Sequence, residues 1–367
     1  METDVQHRQK SPLHEWFNVK SEPFTIAGPC SAESEEQVME TSRRLVETGR
    51  VSVIRAGVWK PRTRPNSFEG IGSPALPWLN RVQKELNTPV ATEVANAQHV
   101  EYCLKAGIDV LWLGARTTVN PFYVQEIAEA LKGVDIPVLV KNPIHADLGL
   151  WVGALERLQK TGVKKLAAIH RGFFTENHAT FRNEPKWELS FALRAEAPDV
   201  PIICDPSHIA GKRDLIEQVS QTALDINLDG LMIESHITPD KALSDPKQQL
   251  VPEDLGSMME RLIIRSAEPR NELAHDLLDK LRGQIDTLDE ELVNTLFKRM
   301  EVVDQIGSVK VDNEISIFQM DRWFEILAKR GLQGKNLDLN PALIQEIFQI
   351  IHKYSVDRQN EVFKKNS

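Results

Sequence analysis

Residues 53–65 read VIRAGVWKPRTRP, and this stretch shows in one place the pattern that decides the fold. It begins as a short apolar strand and continues directly into basic side chains, with Arg55, Lys60, Arg62 and Arg64 falling within ten positions. The chain as a whole is acidic, with a formal net charge of −9. Two things therefore need an explanation: the sheet that the strand belongs to, and the anion that the cations bind.

Eight apolar, β-branched runs of this kind occur in order, each bounded by turn residues. They are FTIAGPC (24–30), VSVIRAGV (51–58), PVATEVA (89–95), VLWLGA (110–115), PVLVKNP (137–143), KLAAIHRG (165–172), PIICDPSH (201–208) and GLMIESH (230–236). Helix-like stretches such as EEQVMETSRRLVETG (35–49) lie between them. Strand and helix in alternation predict a parallel sheet, and eight repeats favour a closed (β/α)8 TIM barrel over an open sheet. We expect an N-terminal extension over 1–21 and the barrel over 22–266.

The pattern changes after the barrel, where a linker at 267–271 contains the helix breaker Pro269. No strand-like run follows it, and apolar side chains instead recur at spacings of three and four, as at Leu281, Ile285, Leu288 and Leu292. We therefore predict a small all-α domain over 272–367. Its three helices are expected at about 272–310, 318–330 and 341–364, the last two separated by GLQGKNLDLN (331–340).

Composition excludes several classes of protein. An apolar content of 41% and a charged content of 26% are ordinary for a globular chain of 367 residues. No segment approaches the roughly 18 apolar residues of a membrane helix, and the acidic first residues do not resemble a signal peptide. The net negative charge and the absence of a basic tail argue against nucleic acid. Three cysteines do not make a disulfide framework, so we expect a cytoplasmic protein.

Basic residues follow several of the predicted strands. The carboxyl ends of barrel strands and the loops after them form the active site in such folds, so these side chains should meet at one mouth. They are Arg55, Lys60, Arg62, Arg116, Lys141 and Arg171. Any one of them alone is readily explained as a surface cation or an ion-pair partner, but four strands that repeat the feature are not. The cluster suits phosphate esters and carboxylates, whose oxygens match guanidinium groups.

The remaining strand ends carry side chains of another kind, namely Cys30, His208, Glu234 and His236, with Asp245 in the loop beyond. Together they form a plausible mixed sulfur, nitrogen and oxygen site for a divalent transition metal. For Cys30 a small buried residue is the alternative, and for Glu234 an ion pair with one of the cations. Cys103 and Cys204 are interpreted as core. A Lewis acid beside a bound phosphate is compatible with aldol-type condensation, hydrolysis or isomerisation, and the residues alone do not choose among these.

The barrel motifs resemble those of a known family. They are GPCSAES (28–34), AGVWKPRTRPNSFEG (56–70), GART (114–117), VKNP (140–143), HRGF (170–173), DPSH (205–208) and SDPKQQ (244–249). They are similar to the type I 3-deoxy-D-arabino-heptulosonate 7-phosphate synthases, in the subgroup that also resembles the octulosonate 8-phosphate synthases. That family condenses phosphoenolpyruvate with erythrose 4-phosphate in the shikimate pathway of aromatic amino acid biosynthesis.

The resemblance implies a role for each matching residue. The metal ligands would be Cys30, His208, Glu234 and Asp245, and the ion would be Mn2+ ahead of Fe2+, Co2+ or Zn2+. Phosphoenolpyruvate would be bound by Arg55, Lys60, Arg116, Lys141 and Arg171. Arg62 and Thr63 of KPRT would hold the aldose phosphate, and KPRT disfavours an octulosonate synthase. Cys30, His208 and Lys60 are the catalytic candidates of the barrel, with Lys60 or a metal-bound water as the proton donor.

The helical stretch carries basic residues on a common face. Arg299 and Lys310 are eleven positions apart, which places them about 20° apart around a helix, whereas Arg282 lies roughly 100° away from Arg299. Ser355 and Gln359 are four apart and share a face of the third helix. For a generic helix, the solvated face of a bundle would be the more usual explanation of these residues.

Here too the motifs resemble a family, the all-helical chorismate mutases. The matching stretches are LRGQIDTLDEEL (281–292), LFKRMEVVDQIGSVK (296–310), the arginine of QMDRW (319–323) and IFQIIHKYSVDRQ (347–359). The resemblance implies an intertwined homodimer in which Arg282 reaches the partner's site. It implies that chorismate is bound by Arg282, Arg299, Lys310, Arg322, Ser355 and Gln359, with Arg299, Lys310 and Gln359 catalytic. Two positions depart from the family, because Trp323 and Gln319 replace acidic residues, and Asp321 or Glu325 is a candidate substitute.

We therefore expect a bifunctional enzyme that makes heptulosonate 7-phosphate and converts chorismate to prephenate. In the alternative, the helical domain is a non-catalytic, dimerising module that senses chorismate or prephenate. Both are compatible with feedback inhibition of the barrel, since two ligand sites can be coupled by linkage. An octulosonate synthase is the third possibility, and an assay with erythrose 4-phosphate against arabinose 5-phosphate separates it from the first.

Overall fold

The structure is a computed structural model, and it describes residues 11–17, 22–61, 68–176, 180–265, 269 and 271–366. The chain divides into two compact units, Met1–Ala267 and Glu268–Ser367.

The first unit is built on a closed barrel of eight parallel strands in chain order. The strands are β1 Phe24–Gly28, β2 Val53–Arg55, β3 Val90–Val94, β4 Val110–Leu113, β5 Val138–Lys141, β6 Leu166–His170, β7 Ile202–Cys204 and β8 Gly230–Glu234. Pairing of β1 with β8, from Phe24 opposite Gly230 to Gly28 opposite Glu234, closes the barrel. Every strand residue except Glu93 is buried, as expected for a parallel sheet covered on both sides.

Helices follow the strands and form the outer layer. They are α2 Glu35–Glu47, α3 Leu76–Leu86, α4 Ala97–Ala106, α5 Ala115–Thr118, α6 Pro121–Ala130, α7 Leu148–Lys160, α8 Glu188–Glu196, α9 Pro206–Ala210, α10 Ile216–Asp225 and α11 Pro252–Arg261. Several begin at a side-chain cap that the sequence supplies, such as Ser34 before α2, Asn96 before α4 and Asp147 before α7. These caps fix where each loop from the barrel mouth ends.

The amino end of the barrel is covered by a short helix, α1 Pro12–Phe17, which the sequence did not predict. Leu13 is fully buried against the side chains inside the barrel, and Phe17 stacks on Phe24 with ring centroids 5.4 Å apart. The described part of the N-terminal extension is therefore part of the barrel's core. Its position leaves the opposite, carboxyl end as the accessible mouth.

A close approach between two strands shapes the mouth next to the opening motif. Gly28 ends β1 with φ +149, and a Cβ at this position would lie 2.0 Å from the carbonyl oxygen of Arg55. Only glycine fits there, so a larger residue would push β1 away from β2. The contact brings Cys30, just after β1, next to the cations that follow β2.

In its described residues, the second unit contains three helices, α12 Glu272–Asp312, α13 Met320–Asn336 and α14 Pro341–Asn366. The carboxyl end of α12 packs on α14, where Gly307 faces Val362. The amino-terminal half of α12 is different, because its apolar stripe is exposed in this chain. The exposed residues are Leu273, Leu277, Leu281, Ile285, Leu288 and Leu292.

The predicted barrel followed by helices is confirmed. The strands are shorter than the apolar runs, because each run also includes the first residues of a loop. One local prediction was wrong: residues 331–336 of GLQGKN continue α13, and only LDLN separates α13 from α14. Helix packing outweighs the low helix propensity of glycine there, since Gly334 is buried against Ile344. Across the described ranges, no helix combines the length and apolar character needed to cross a membrane.

Candidate active sites

A thiol and two carboxylates meet at the carboxyl end of the barrel. Ligand atoms of Cys30, Glu234 and Asp245 all lie within 4.8 Å of one another. The Cys30 Sγ is 3.4 Å from Asp245 Oδ2 and 3.2 Å from Ser244 Oγ. Glu234 is fully buried, and its Oε1 has no hydrogen-bond partner among the described residues. That oxygen forms an ion pair with Arg55 Nη2 at 3.3 Å, and it is the close grouping of a thiol with two carboxylates that fits a divalent cation.

His208, the fourth predicted ligand, adjoins this group without being one of its three members. Its Nε2 is 3.8 Å from Glu234 Oε1, and its Nδ1 is 2.8 Å from Asp205 Oδ2. Burial lowers the pKa of His208, so the ring is neutral at neutral pH. A proton on Nδ1, toward Asp205, leaves the Nε2 lone pair on the side of Glu234, which is the arrangement that a histidine ligand requires.

Asp205 is a site residue that sequence reasoning missed, although it lies in the DPSH motif. It is fully buried, and it accepts a hydrogen bond from Lys141 Nζ at 2.7 Å and from the His208 backbone N–H at 3.1 Å. Burial acts to raise the pKa of Asp205, but His208 and Lys141 outweigh it and hold this pKa well below its ordinary value. One carboxylate thus positions a predicted metal ligand and a predicted substrate ligand.

Arg55 lies directly beside the thiol and carboxylate group. Its side chain is buried, with Nη2 3.3 Å from Glu234 Oε1 and the guanidinium 4.8 Å from the ring centroid of Trp112. Its Nε and Nη1 have no hydrogen-bond partner among the described residues. Buried guanidinium N–H groups without acceptors are a site for an anion, since leaving them unpaired is costly.

The other predicted cations line the same mouth. Lys60, Arg116, Lys141, Arg171 and His208 surround one cavity together with Asp245. Burial lowers the pKa of Arg171 to about 10, and the positive charges of Arg182 and Arg116 act in the same direction. Its Nη1 donates to Asn183 Oδ1 at 2.9 Å, a neutral acceptor that leaves the charge unbalanced. The mouth therefore favours an anionic ligand.

Lys60 lies between the thiol and carboxylate group of Cys30, Glu234 and Asp245 and the cations that line the mouth. Its Nζ is 3.2 Å from Cys30 Sγ. Burial acts to lower the pKa of Lys60, but Cys30 and Glu93 outweigh it and raise this pKa above its ordinary value. Lys60 is therefore protonated at neutral pH and able to donate. Glu93, which also lines the mouth, was missed because it stands in the middle of an apolar run. Arg62 and Thr63 lie outside the described residues.

The loop after β8 supplies further supports that the sequence did not single out. Gln248 Nε2 donates to Glu234 Oε2 at 2.7 Å, and Gln249 Oε1 accepts from the Cys30 backbone N–H at 2.9 Å. The two glutamines of SDPKQQ thus hold two of the three members of the thiol and carboxylate group. Their adjacency to Asp245 was the available signal.

The helical unit contains a separate cavity of about 730 Å3. Five of the residues predicted to bind the ligand of the helical unit line this cavity: Arg299, Lys310, Arg322, Ser355 and Gln359. Arg299 Nη1 donates to Ser355 Oγ at 2.6 Å, and Lys310 Nζ donates to the carbonyl oxygen of Ile317 at 2.6 Å. Asp321 is the single acidic residue among those that line the cavity. Three cations against one carboxylate suit a ligand with more than one negative charge.

Arg282 lies elsewhere, on the exposed part of α12, where its Nη1 is 3.3 Å from Asp279 Oδ1. Of the two candidate acids, Asp321 lines the cavity, whereas Glu325 pairs with Arg322 and Lys329 at 2.6 Å each. Trp323 and Gln319 also line it. Trp323 stacks on His352 with centroids 4.1 Å apart, so an aromatic pair replaces the expected acid on this wall.

Comparison with known proteins assigns a family to each unit. Residues 16–265 match the model of the DAHP synthetase I family, and residues 281–360 match that of chorismate mutase type II. A phospho-2-dehydro-3-deoxyheptonate aldolase from Thermotoga maritima is 35% identical over 228 residues, which cover 62% of this chain and 65% of that protein. A 2-dehydro-3-deoxyphosphooctonate aldolase from Francisella tularensis subsp. holarctica is 25% identical over 271 residues, 68% of this chain and 95% of that one.

Solved structures agree with the sequence relatives. The crystal structure of the DAHP synthase from Thermotoga maritima has a TM-score of 0.59 and 32% identity, and the match covers 65% of this chain and 67% of that chain. A truncated form of the same enzyme has a TM-score of 0.56 and 30% identity, with 65% and 84% covered. Both resemblances that were drawn from the sequence are thereby confirmed.

Proposed function

This chain belongs to the DAHP synthetase I family, and we propose that its barrel condenses phosphoenolpyruvate with erythrose 4-phosphate. The products are 3-deoxy-D-arabino-heptulosonate 7-phosphate and phosphate. The observation that carries the proposal is the position of Arg55. Its Nε and Nη1, which have no hydrogen-bond partner among the described residues, suit an anion, while its Nη2 lies 3.3 Å from the Glu234 carboxylate of a group that suits a divalent cation. An anionic substrate is thereby held against a Lewis acid.

The residues of the mouth divide into substrate and metal ligands. Arg55, Arg116, Lys141 and Arg171, with Lys60, bind the phosphate and carboxylate of phosphoenolpyruvate, and Arg62 and Thr63 bind the erythrose 4-phosphate phosphate. Cys30, His208, Glu234 and Asp245 hold the ion, with Mn2+ ahead of Fe2+, Co2+ or Zn2+. When bound, the metal supplies Lewis acidity that polarises the aldehyde carbonyl.

Bond formation follows from this arrangement. C3 of phosphoenolpyruvate attacks the aldehyde carbon, and the aldehyde oxygen takes a proton from Lys60. Water then adds at C2 of the former phosphoenolpyruvate, and cleavage of the C2–O bond releases phosphate and leaves a ketone. The buried cations hold the enol phosphate in register with the aldehyde, which converts a bimolecular step into one within the complex.

One purified sample of the full chain tests both activities. We expect condensation with erythrose 4-phosphate, its loss after chelation and its return on addition of Mn2+, together with chelator-independent turnover of chorismate. Arabinose 5-phosphate is the control substrate, and its preferential use would indicate an octulosonate synthase instead. Condensation at an undiminished rate after complete metal removal would contradict the metal assignment.

The proposal extends to the helical unit, which converts chorismate to prephenate. Arg299, Lys310 and Arg322 surround a cavity with one acidic residue, as a dicarboxylate requires. In this proposal Lys310 and Gln359, which both line the cavity, bond the ether oxygen whose bond breaks, and catalysis is electrostatic and conformational. Turnover by this unit distinguishes an enzyme from a non-catalytic sensor. Inhibition of condensation by added prephenate or chorismate tests the regulatory role, which is compatible with either.

The same unit forms a homodimer in this proposal. The exposed apolar stripe of α12, from Leu273 to Leu292, is far longer than the scattered surface apolar residues of a monomer. A second copy would bury it, and Arg282, on the same part of α12, would then reach the partner's cavity.

The three cysteines are buried free thiols, in agreement with a cytoplasmic enzyme.

Complementation between two inactive variants tests the shared site. Arg282→Ala and Arg299→Ala are each expected to lack mutase activity. Co-expressed, they should form mixed dimers in which one site has both arginines, so about a quarter of all sites recover. Recovery would not occur if each site took both residues from one chain. Co-expression of Arg282→Ala with an Arg282→Ala, Arg299→Ala double variant is the matched control, because no intact site can form.

A further inference from the structure

Arg182 links two loops of the barrel mouth, and the motifs that carry the family resemblance do not include it. It lies between β6 and α8, and one nitrogen of its guanidinium contacts two residues of the loop after β8. Arg182 Nη1 donates to Asp245 Oδ1 at 2.8 Å and to Gln248 Oε1 at 2.6 Å. Both acceptors are more than sixty positions away in the chain.

These contacts divide the oxygens of two carboxylates. Arg182 occupies Oδ1 of Asp245, while Oδ2 of the same carboxylate lies 3.4 Å from Cys30 Sγ. Gln248, held by Arg182, donates to Oε2 of Glu234 and leaves Oε1 without a hydrogen-bond partner among the described residues. One oxygen of each carboxylate is taken. Of the other two, Asp245 Oδ2 faces Cys30, and Glu234 Oε1 faces Arg55 Nη2 at 3.3 Å and His208 Nε2 at 3.8 Å.

The backbone around Asp245 and Arg182 is also shaped to fit these contacts. Asp245 has φ +49 and ψ 50, a left-handed conformation that costs energy in a residue other than glycine and needs support from its surroundings. Gly211 lies beneath the arginine, and a Cβ there would come within 2.4 Å of Arg182 Cβ. The contacts of Arg182 hold Asp245 in its strained position, and Gly211 leaves space for the arginine.

Asn183, the residue after Arg182, connects the same loop to Arg171, one of the cations of the mouth. Asn183 accepts from Arg171 Nη1 at 2.9 Å and donates from Nδ2 to the His208 carbonyl oxygen at 2.6 Å. Residues 182 and 183 therefore contact, directly or through Gln248, four residues that the proposed function uses. They are Arg171, His208, Glu234 and Asp245.

We infer that Arg182 is a positioning residue for the metal site. It takes one oxygen of Asp245 directly and one of Glu234 through Gln248, so that each carboxylate presents a single oxygen to the ion. The inference rests on the proposed function, since it assumes that Cys30, Glu234 and Asp245 hold a metal. Residues that orient metal ligands in this way commonly affect affinity by about 10- to 100-fold.

The test is the Mn2+ affinity of the full chain after metal removal, measured with Mn2+ alone by the electron paramagnetic resonance of the free ion. Arg182→Met is expected to raise the Kd about 10- to 100-fold, and Arg182→Lys, which keeps a donor, by less. Gln248→Met removes only the hydrogen bonds through which Gln248 links Arg182 to Glu234, and it is expected to raise the Kd severalfold. Arg81→Met is the matched control, because Arg81 pairs with Glu35 and Glu85 on the outer surface.

Thermal unfolding of the metal-free variants separates positioning from a structural role. A purely structural arginine would lower the melting temperature of metal-free Arg182→Met and leave the Kd unchanged, which would overturn the inference. Cys30→Ala tests the site itself. If it binds Mn2+ as the wild type does, the proposed metal site fails and the inference with it. If Cys30→Ala loses Mn2+ while Arg182→Met and Gln248→Met retain it, only the inference fails.

Discussion

Lys60→Ala is expected to lower the rate of condensation by about 10³-fold or more while the protein still binds one equivalent of Mn2+. Lys60 Nζ lies 3.2 Å from Cys30 Sγ and lines the mouth with Arg116 and Lys141, so it is placed both to bind substrate and to donate a proton. Loss of a positioned general acid alone typically costs about 10²- to 10⁴-fold. Loss of a cation from the anion site adds to this effect.

Lys60→Arg distinguishes the two contributions. Arginine keeps the positive charge but does not give up a proton at any working pH. We therefore expect a KM for phosphoenolpyruvate within severalfold of the wild-type value and a kcat nearly as low as that of Lys60→Ala. A kcat close to wild type in Lys60→Arg would show that charge suffices and that another group supplies the proton.

The control for these variants is Lys105→Ala, on the outer surface, where Lys105 is 3.9 Å from Glu101. It should retain full condensation activity. Chorismate turnover in the same preparations should not change, since Lys60 lies in the other unit. Near-normal condensation by Lys60→Ala would refute the assigned role.

Arg299→Ala is expected to lower the conversion of chorismate to prephenate by about 10²- to 10³-fold, as does removal of other preorganised donors that stabilise developing charge. Arg299 is half-buried, and burial lowers its pKa. Its cavity contains other cations and one carboxylate. The substrate's carboxylate would satisfy that charge. Ser355 would lose the partner that now lies 2.6 Å away.

Lys298→Ala is the matched control, because it removes the same charge from the next position of α12, where the side chain is exposed. It should keep wild-type mutase activity, and condensation should be unaffected in both variants. If Arg299→Ala turns over chorismate at the wild-type rate, the cavity is not the mutase site. If the wild type itself shows no turnover but binds prephenate, the sensor interpretation of the helical unit is correct.

Local pattern was sufficient to predict the architecture. Alternation of apolar runs and helical stretches is written into neighbouring residues, so eight strands and three helices followed without knowledge of any distant contact. Local pattern failed where tertiary packing decided the secondary structure. Residues 331–336 look like a break but remain helical, since Gly334 is buried against Ile344. Residues 12–17 gave no sign of folding into the barrel end, because Leu13 is buried by side chains from distant strands.

The residues of the candidate sites also divide into those that local pattern predicted and those that only packing revealed. Cys30, Arg55, Lys141, His208 and Glu234 lie at or just after strand ends, and a barrel brings all strand ends to one mouth whatever its details. Their chemistry could therefore be predicted from position. Arg282 could be set apart from Arg299 by helix geometry alone, and the structure places it on the exposed part of α12.

By itself, then, the sequence determined the barrel, the helical unit and the chemical character of each mouth, because these depend on periodicity and on the order of strands. The tertiary structure alone decided which residues orient the reactive ones. Asp205 reaches Lys141 across 64 positions, and Arg182 reaches Asp245 across 63. Such partners leave no periodic trace, since a hydrogen bond between two loops depends on where folding of the whole barrel places them.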